Sequence, residues 1–193
     1  RQATIALRNK VLAGEENIRQ VVTRFYIHRL ENVGGTGYRR SWTDNLLWHH
    51  ITHSLDMGLW LLNESVREVH SFMPLPDPKT GIPMEVFLGI ETEKDQSLIC
   101  AGSYYSHENI WDALIITDCD TYRFNYTQNK LTMREGEQLM EQEADNCALV
   151  TRDFVLAVKD GSPPAVTGES VLPAMRVLQR VQDNWDKKYG AQI

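Results

Sequence analysis

The sequence predicts an α+β domain: a large, mostly antiparallel sheet, a helix inserted after its first strand, and two closing helices. Three observations carry this. A β-branched and aromatic run, Ile18 to Leu30 (IRQVVTRFYIHRL), comes early. A helical run follows, with Leu47, Ile51, Leu55, Leu59 and Leu62 at three- and four-residue steps. Then short strand-like runs alternate with turn residues until the pattern becomes helical again.

Before the first strand, Thr4 to Leu12 has helical periodicity and ends at Ala13-Gly14, a common helix stop. After it comes a glycine-rich loop, Val33 to Tyr38 (VGGTGY). Ser41-Trp42-Thr43-Asp44 fits the S/T-x-x-D/E capping pattern, with Thr43 as an alternative cap, so the inserted helix is expected from about Ser41 to Leu62. Val66–Met73, Val86–Glu91, Ser97–Tyr105, Ala113–Thr117, Thr121–Tyr126 and Lys130–Arg134 read as an antiparallel meander. Pro74 to Pro83 (PLPDPKTGIP) reads as a loop, because proline cannot donate to a sheet ladder. The closing helices are expected at about Ala144 to Lys159 and Gly168 to Lys188, broken by Asp160-Gly161-Ser162-Pro163-Pro164. Thr167 is a candidate cap, and Pro173 lies early enough to be tolerated.

The chain has 193 residues, 42% hydrophobic and 24% charged, which suits one domain with its own core. A net charge of -6 argues against a general nucleic-acid or membrane-surface binder, and Tyr38-Arg39-Arg40 is too short a basic cluster to change that. Cys100, Cys119 and Cys147 are far apart with no CxxC spacing, and read as reduced thiols of a cytoplasmic protein. No apolar run reaches the length of a membrane span. The chain starts at Arg1 directly in helical sequence, as a fragment of a longer protein would.

The stretch WHHITHSLD, Trp48 to Asp56, holds three of the six histidines. On a helix His49 and His53 stack on one face, Asp56 continues that stripe, and His50 lies beside it. The apolar row occupies another face. Three readings follow. A helical H-x-x-x-H can bind zinc, but His50 stands where the zincin motif requires glutamate. The plainer reading makes the histidines surface residues with ordinary hydrogen bonds. The third is an acid/base site, because imidazole exchanges protons near neutral pH and a carboxylate can orient it. Gly35-Thr36-Gly37 begins like a G-x-G-x-x-G dinucleotide fingerprint, but Arg40 replaces the third glycine and no parallel crossover follows, so a phosphate-binding role is not expected.

The stretch Thr43 to Leu62 (TDNLLWHHITHSLDMGLWLL) resembles the site helix of the Gfo/Idh/MocA oxidoreductases, roughly D-x-x-x-H-x-x-D-x-x-x-x-L. His53 matches the family's active-site histidine and Asp56 its second aspartate. His49 stands where most members have the first aspartate. The run from Arg40 to Asp56 is similar to that of one branch, R-S-W-T-D-x-L-L-W-H-H-x-x-H-x-x-D. Gly161 to Trp185 (GSPPAVTGESVLPAMRVLQRVQDNW) also resembles the family's ending. The resemblance implies the C-terminal domain alone, an open sheet with helices on one face, preceded in such enzymes by a Rossmann domain that binds NAD or NADP.

That resemblance implies an NAD(P)-dependent dehydrogenase acting on a small carboxylated or sugar-like substrate, with this chain inactive by itself. The candidate catalytic residues are His53, His49 and Asp56. Arg40, with Arg39, would bind a substrate carboxylate, and Trp42, Thr43 and His50 would line the pocket. The rival reading is a non-catalytic binding or assembly module, with or without a metal at the histidines. Apolar residues at successive positions in Ser97–Ala101 and Leu114–Ile116 mean that both sheet faces need cover, and a homodimer or homotetramer through the sheet is expected.

Overall fold

In the computed structural model the described residues are 2–33, 37–39, 45–128, 130–134, 138–140 and 146–190. The chain runs α1 (Gln2–Leu12), β1 (Ile18–His28), a five-residue π-turn (Leu47–Ile51), α2 (Thr52–Leu62), β2 (Val66–Phe72), β3 (Glu85–Thr92), β4 (Ser97–Ser103), β5 (Tyr105–Thr117), β6 (Thr121–Asn125), β7 (Lys130–Thr132), β8 (Gln138–Met140), α3 (Asn146–Asp160) and α4 (Gly168–Tyr189). The strands form one sheet in the order β2-β3-β4-β1-β5-β6-β7-β8. β1 lies in the middle, parallel to β4 and antiparallel to β5, and every other pairing is antiparallel.

Strand alternation separates the two faces. Val21 and Thr23 of β1, Leu98 and Cys100 of β4, and Ala113 and Ile115 of β5 are buried on the face where α2 packs on β1 and β4 and α4 packs on α2 and β2. The predicted apolar row of the site helix, Leu47, Ile51, Leu55, Leu59 and Leu62, is buried in the same core, and Val177, Leu178 and Val181 of α4 close it from outside. Glycine permits the close fit of helix to sheet. A Cβ at Gly58 would meet Leu98 Cδ1 at 2.6 Å, and one at Gly102 would meet Ile51 Cδ1 at 2.6 Å.

The other face carries Val22, Ile99 and Leu114, which share one cross-strand row and are half-buried. Phe72 and Phe87 pair on the same side and are 57% and 45% exposed. On α3, Val150, Phe154, Val155 and Val158 are exposed.

Several sequence expectations hold. Gly14 takes a positive φ of 73° at the end of α1. Thr167 caps α4 reciprocally with Ser170. Others change. β5 begins at Tyr105, eight residues before the expected Ala113, because its first half is polar and largely exposed, without the apolar alternation that marks a strand. β8 was too short to be read. The site helix opens as a π-turn, not a regular helix. The proposed caps Ser41 and Thr43 lie outside the described residues, as do residues 34–36 of the glycine loop.

Candidate active site

The π-turn explains where the histidines go. In its wider turn the Thr52 hydroxyl donates to the Trp48 carbonyl at 2.7 Å and to the Leu47 carbonyl at 3.3 Å. Its start is tied down as well: the Trp48 amide donates to Asn45 Oδ1 at 3.2 Å, and the indole N–H donates to Gln182 Oε1 of α4 at 3.1 Å.

His49 and His50 then stack on each other, with ring centroids 4.0 Å apart. His50 also stacks on Phe25 of β1 at 4.2 Å, and its Nδ1 lies 2.7 Å from the hydroxyl of Tyr104, a fully buried residue between β4 and β5. The ring is therefore turned inward onto the sheet. Burial pushes its pKa down to about 3, helped by the neighbouring His49, Arg29 and His53, so the ring is neutral at pH 7.

His53 is exposed, one turn further along the helix, with its ring 6.4 Å from that of Trp111 on β5. Among the described residues no hydrogen bond to its ring is formed. Asp56 is half-buried. Burial raises its carboxyl above the ordinary value, and the positive charge available on His53 works against that rise. Asp56 also borders a groove lined by Arg8, Trp60 and Asn63.

Sequence reasoning missed Arg29, Tyr104, Phe25 and Trp111. Arg29 follows β1, and its amide donates to the Tyr104 carbonyl at 2.8 Å. The guanidinium lies over the Tyr104 ring at 5.6 Å, and Nη1 sits 3.4 Å from His49 Nδ1. Of the arginines singled out from sequence, Arg39 is exposed and pairs with Glu31 at 3.5 Å. Arg40, Trp42 and Thr43 lie outside the described residues. One group of three metal-ligating side chains converges among the described residues, the exposed Glu68, His70 and Glu91 on β2 and β3, and it does not involve the histidines of the site helix.

Residues 3–140 match the family described as bacterial oxidoreductases, C-terminal. The chain is similar to 4-carboxy-2-hydroxymuconate-6-semialdehyde dehydrogenase of Sphingobium sp. (strain NBRC 103272 / SYK-6), 27% identical over 187 residues that cover 94% of this chain and 58% of that protein. In structure it is similar to UDP-N-acetylglucosamine 3-dehydrogenase GnnA from Acidithiobacillus ferrooxidans, with a TM-score of 0.75 at 16% identity, covering 91% of this chain and 56% of that one. The WlbA dehydrogenase from Bordetella pertussis, solved in complex with NADH and UDP-GlcNAcA, gives a TM-score of 0.72 at 14% identity, covering 94% and 56%. This chain thus spans somewhat more than half the length of its relatives. It belongs to the bacterial oxidoreductase C-terminal family, the C-terminal domain type of the Gfo/Idh/MocA oxidoreductases.

Proposed function

We propose that this chain is the substrate-binding and oligomerisation domain of an NAD(P)-dependent dehydrogenase that moves a hydride between nicotinamide and a carbinol carbon of a small, carboxylated or sugar-like substrate. The single observation that carries this reading is the division of labour among the histidines. Two are engaged and packed, His49 and His50, while His53 is exposed beside the ring of Trp111.

Nicotinamide, when bound, supplies the hydride acceptor. The chain has no complete glycine fingerprint for a dinucleotide, so its own residues fit the substrate side of the reaction. His53 takes the hydroxyl proton as the hydride leaves the carbinol carbon and the carbonyl forms. Asp56, one turn away, steadies the imidazolium so produced. His50 holds position: clamped between Phe25 and His49 and hydrogen-bonded to Tyr104, it fixes the start of the helix that carries His53.

The test is steady-state kinetics of the full-length enzyme across pH. His53→Ala should lower turnover about a hundred- to ten-thousand-fold while cofactor affinity stays near normal. Near-normal turnover would reduce the histidine stripe to structure.

The uncovered sheet face supports self-association. Val22, Ile99, Leu114, Phe72 and Phe87 make it more apolar than a solvated face needs to be, and the same face of a second copy would cover it with like residues. Sedimentation at micromolar concentration should show a dimer or tetramer that Phe87→Glu weakens; a monomer would refute this part of the proposal.

A further inference from the structure

We infer that the open sheet face meets the same face of a second copy about a two-fold axis parallel to β1. The acidic end of each sheet then covers the basic end of the other. The inference rests on the self-association proposed above and fixes how the two copies are set.

The open face is organised in rows across the strands. One row runs His70, Gly89, Ile99 and Val22 and continues through Leu114 to Arg123. The next runs from Phe72 and Phe87 through Arg24 to Asn125 and Lys130. The centre of the first row is apolar, and the two ends of the sheet carry opposite charge. At the β2–β3 end Glu68 and Glu91 stand side by side, with Glu85 further along β3. Arg67 donates to Glu91 Oε2 at 3.1 Å and to Asp95 Oδ1 at 2.6 Å, so Glu68 and Glu85 remain without a lysine or arginine among the described residues. At the β6–β7 end Arg123 and Lys130 border a groove of about 510 Å³ with Val22, Leu114 and Asn125. Among the described residues neither cation forms an ion pair. Arg24, between the two ends, is already paired with Asp112.

Two-fold symmetry can align the strands of the two sheets in either of two ways. With the axis perpendicular to the strands, each strand covers its own counterpart. Arg123 then meets Arg123, and the glutamate edge is buried against itself, which costs like-charge repulsion. With the axis along β1, β4 covers β5, β3 covers β6 and β2 covers β7. Ile99 packs on Leu114 of the second copy, and Val22 packs on its own counterpart. Arg123 comes over Gly89, since both lie in one row, two strands from β1 on opposite sides. A Cβ at Gly89 would touch only the His70 Cβ, at 3.8 Å, so the guanidinium has room there to reach Glu91 and Glu68. Lys130 comes over Phe72, where its stem can lie on the exposed ring.

The test is sedimentation of the full-length protein at micromolar concentration, with circular dichroism to confirm that each variant folds. Arg123→Glu and Glu68→Arg should each weaken self-association about ten- to hundredfold. Lys159→Glu, the same change of charge on exposed α3, should leave it unchanged. An equimolar mixture of Arg123→Glu and Glu68→Arg should associate again, because both contacts in the mixed pair join opposite charges. The arrangement is overturned if the two folded variants associate like wild type, if Glu68→Arg associates more tightly, or if the mixture is no stronger than its parts. It is also overturned if wild type binds citrate through Arg123 while association ignores these charges, which would assign the groove to a small anion. Failure of the self-association reading looks different: wild type itself stays monomeric, and the arrangement falls with it.

Discussion

The two ends of β1 each carry a cluster of polar groups, and they are built in opposite ways. Just before the strand, Glu16 is 5% exposed and its carboxylate accepts from the Tyr122 hydroxyl at 2.6 Å, Lys10 Nζ at 2.9 Å and the Thr117 hydroxyl at 3.0 Å. Burial pushes that carboxyl up, but the bonds from Tyr122, Lys10 and Thr117 outweigh it and hold it below its ordinary value. Just after the strand, Arg29 leads into the histidines, where rings are stacked, one is neutral through burial, and His53 stays open to solvent. A cluster whose valences are all met ties α1 to β5 and β6 and has nothing left for a ligand. A cluster with an exposed imidazole retains the capacity to react.

Exchanging the assays between the two ends tests that contrast most severely. His53→Ala, with its expected loss of two to four orders of magnitude in turnover, should leave the thermal midpoint within about a degree of wild type, since the side chain is exposed. Glu16→Ala should do the reverse. It leaves the buried Tyr122 hydroxyl without its acceptor, while Thr117 keeps the Asp120 carbonyl at 3.1 Å, at a cost of roughly 1–3 kcal/mol, and turnover below the melting range is retained. Thermal denaturation and kinetics on both variants decide the matter. A folded Glu16→Ala that is catalytically dead would break the contrast, as would a strongly destabilised His53→Ala.

The same contrast shows what the sequence could and could not reveal. The buried row Leu47, Ile51, Leu55, Leu59 and Leu62 was legible because helical periodicity is a local signal, and so was the Thr167 cap. Local spacing also brought His49, His53 and Asp56 onto one stretch of helix. The partners that give these residues their character come from far away in sequence. Arg29 meets His49 and Tyr104 only because β1 slots between β4 and β5 in a particular register, with Tyr26 opposite Ser103. Nothing near Arg29 in the sequence distinguishes it from Arg24, which lies on the opposite sheet face and pairs with Asp112. The Glu16 cluster was missed for the same reason, since two of its donors, Thr117 and Tyr122, lie about a hundred residues away. The π-turn had no signal either: Trp48-His49-His50 fits a regular helix equally well, and it is Thr52, Asn45 and Gln182 together that accommodate the wider turn.

The smallest expected effect concerns His50, which shares features with both ends: it is packed and hydrogen-bonded like Glu16, yet belongs to the candidate site. Its folded pKa is depressed from 6.5 to about 3, with burial the main cause. Between those values the unfolded chain takes up a proton that the folded one refuses, so His50 makes the fold lose stability as pH falls from about 6.5 toward 3. His50→Phe keeps a ring for Phe25 and His49 to stack on, cannot titrate, and loses the bond to Tyr104. At pH 7 it should be less stable than wild type by about 0.5–1.5 kcal/mol, the net worth of one hydrogen bond. As pH is lowered to 4.5 that gap should close and then reverse in favour of His50→Phe, because only wild type carries the proton-linked penalty. Glu16 is common to both proteins, and its own penalty falls below the ordinary carboxylate range, so the difference between the two melting curves isolates His50. A gap that stays constant or widens on acidification would mean that His50 is protonated in the folded protein, and its place as a neutral, packed positioning residue would have to be given up.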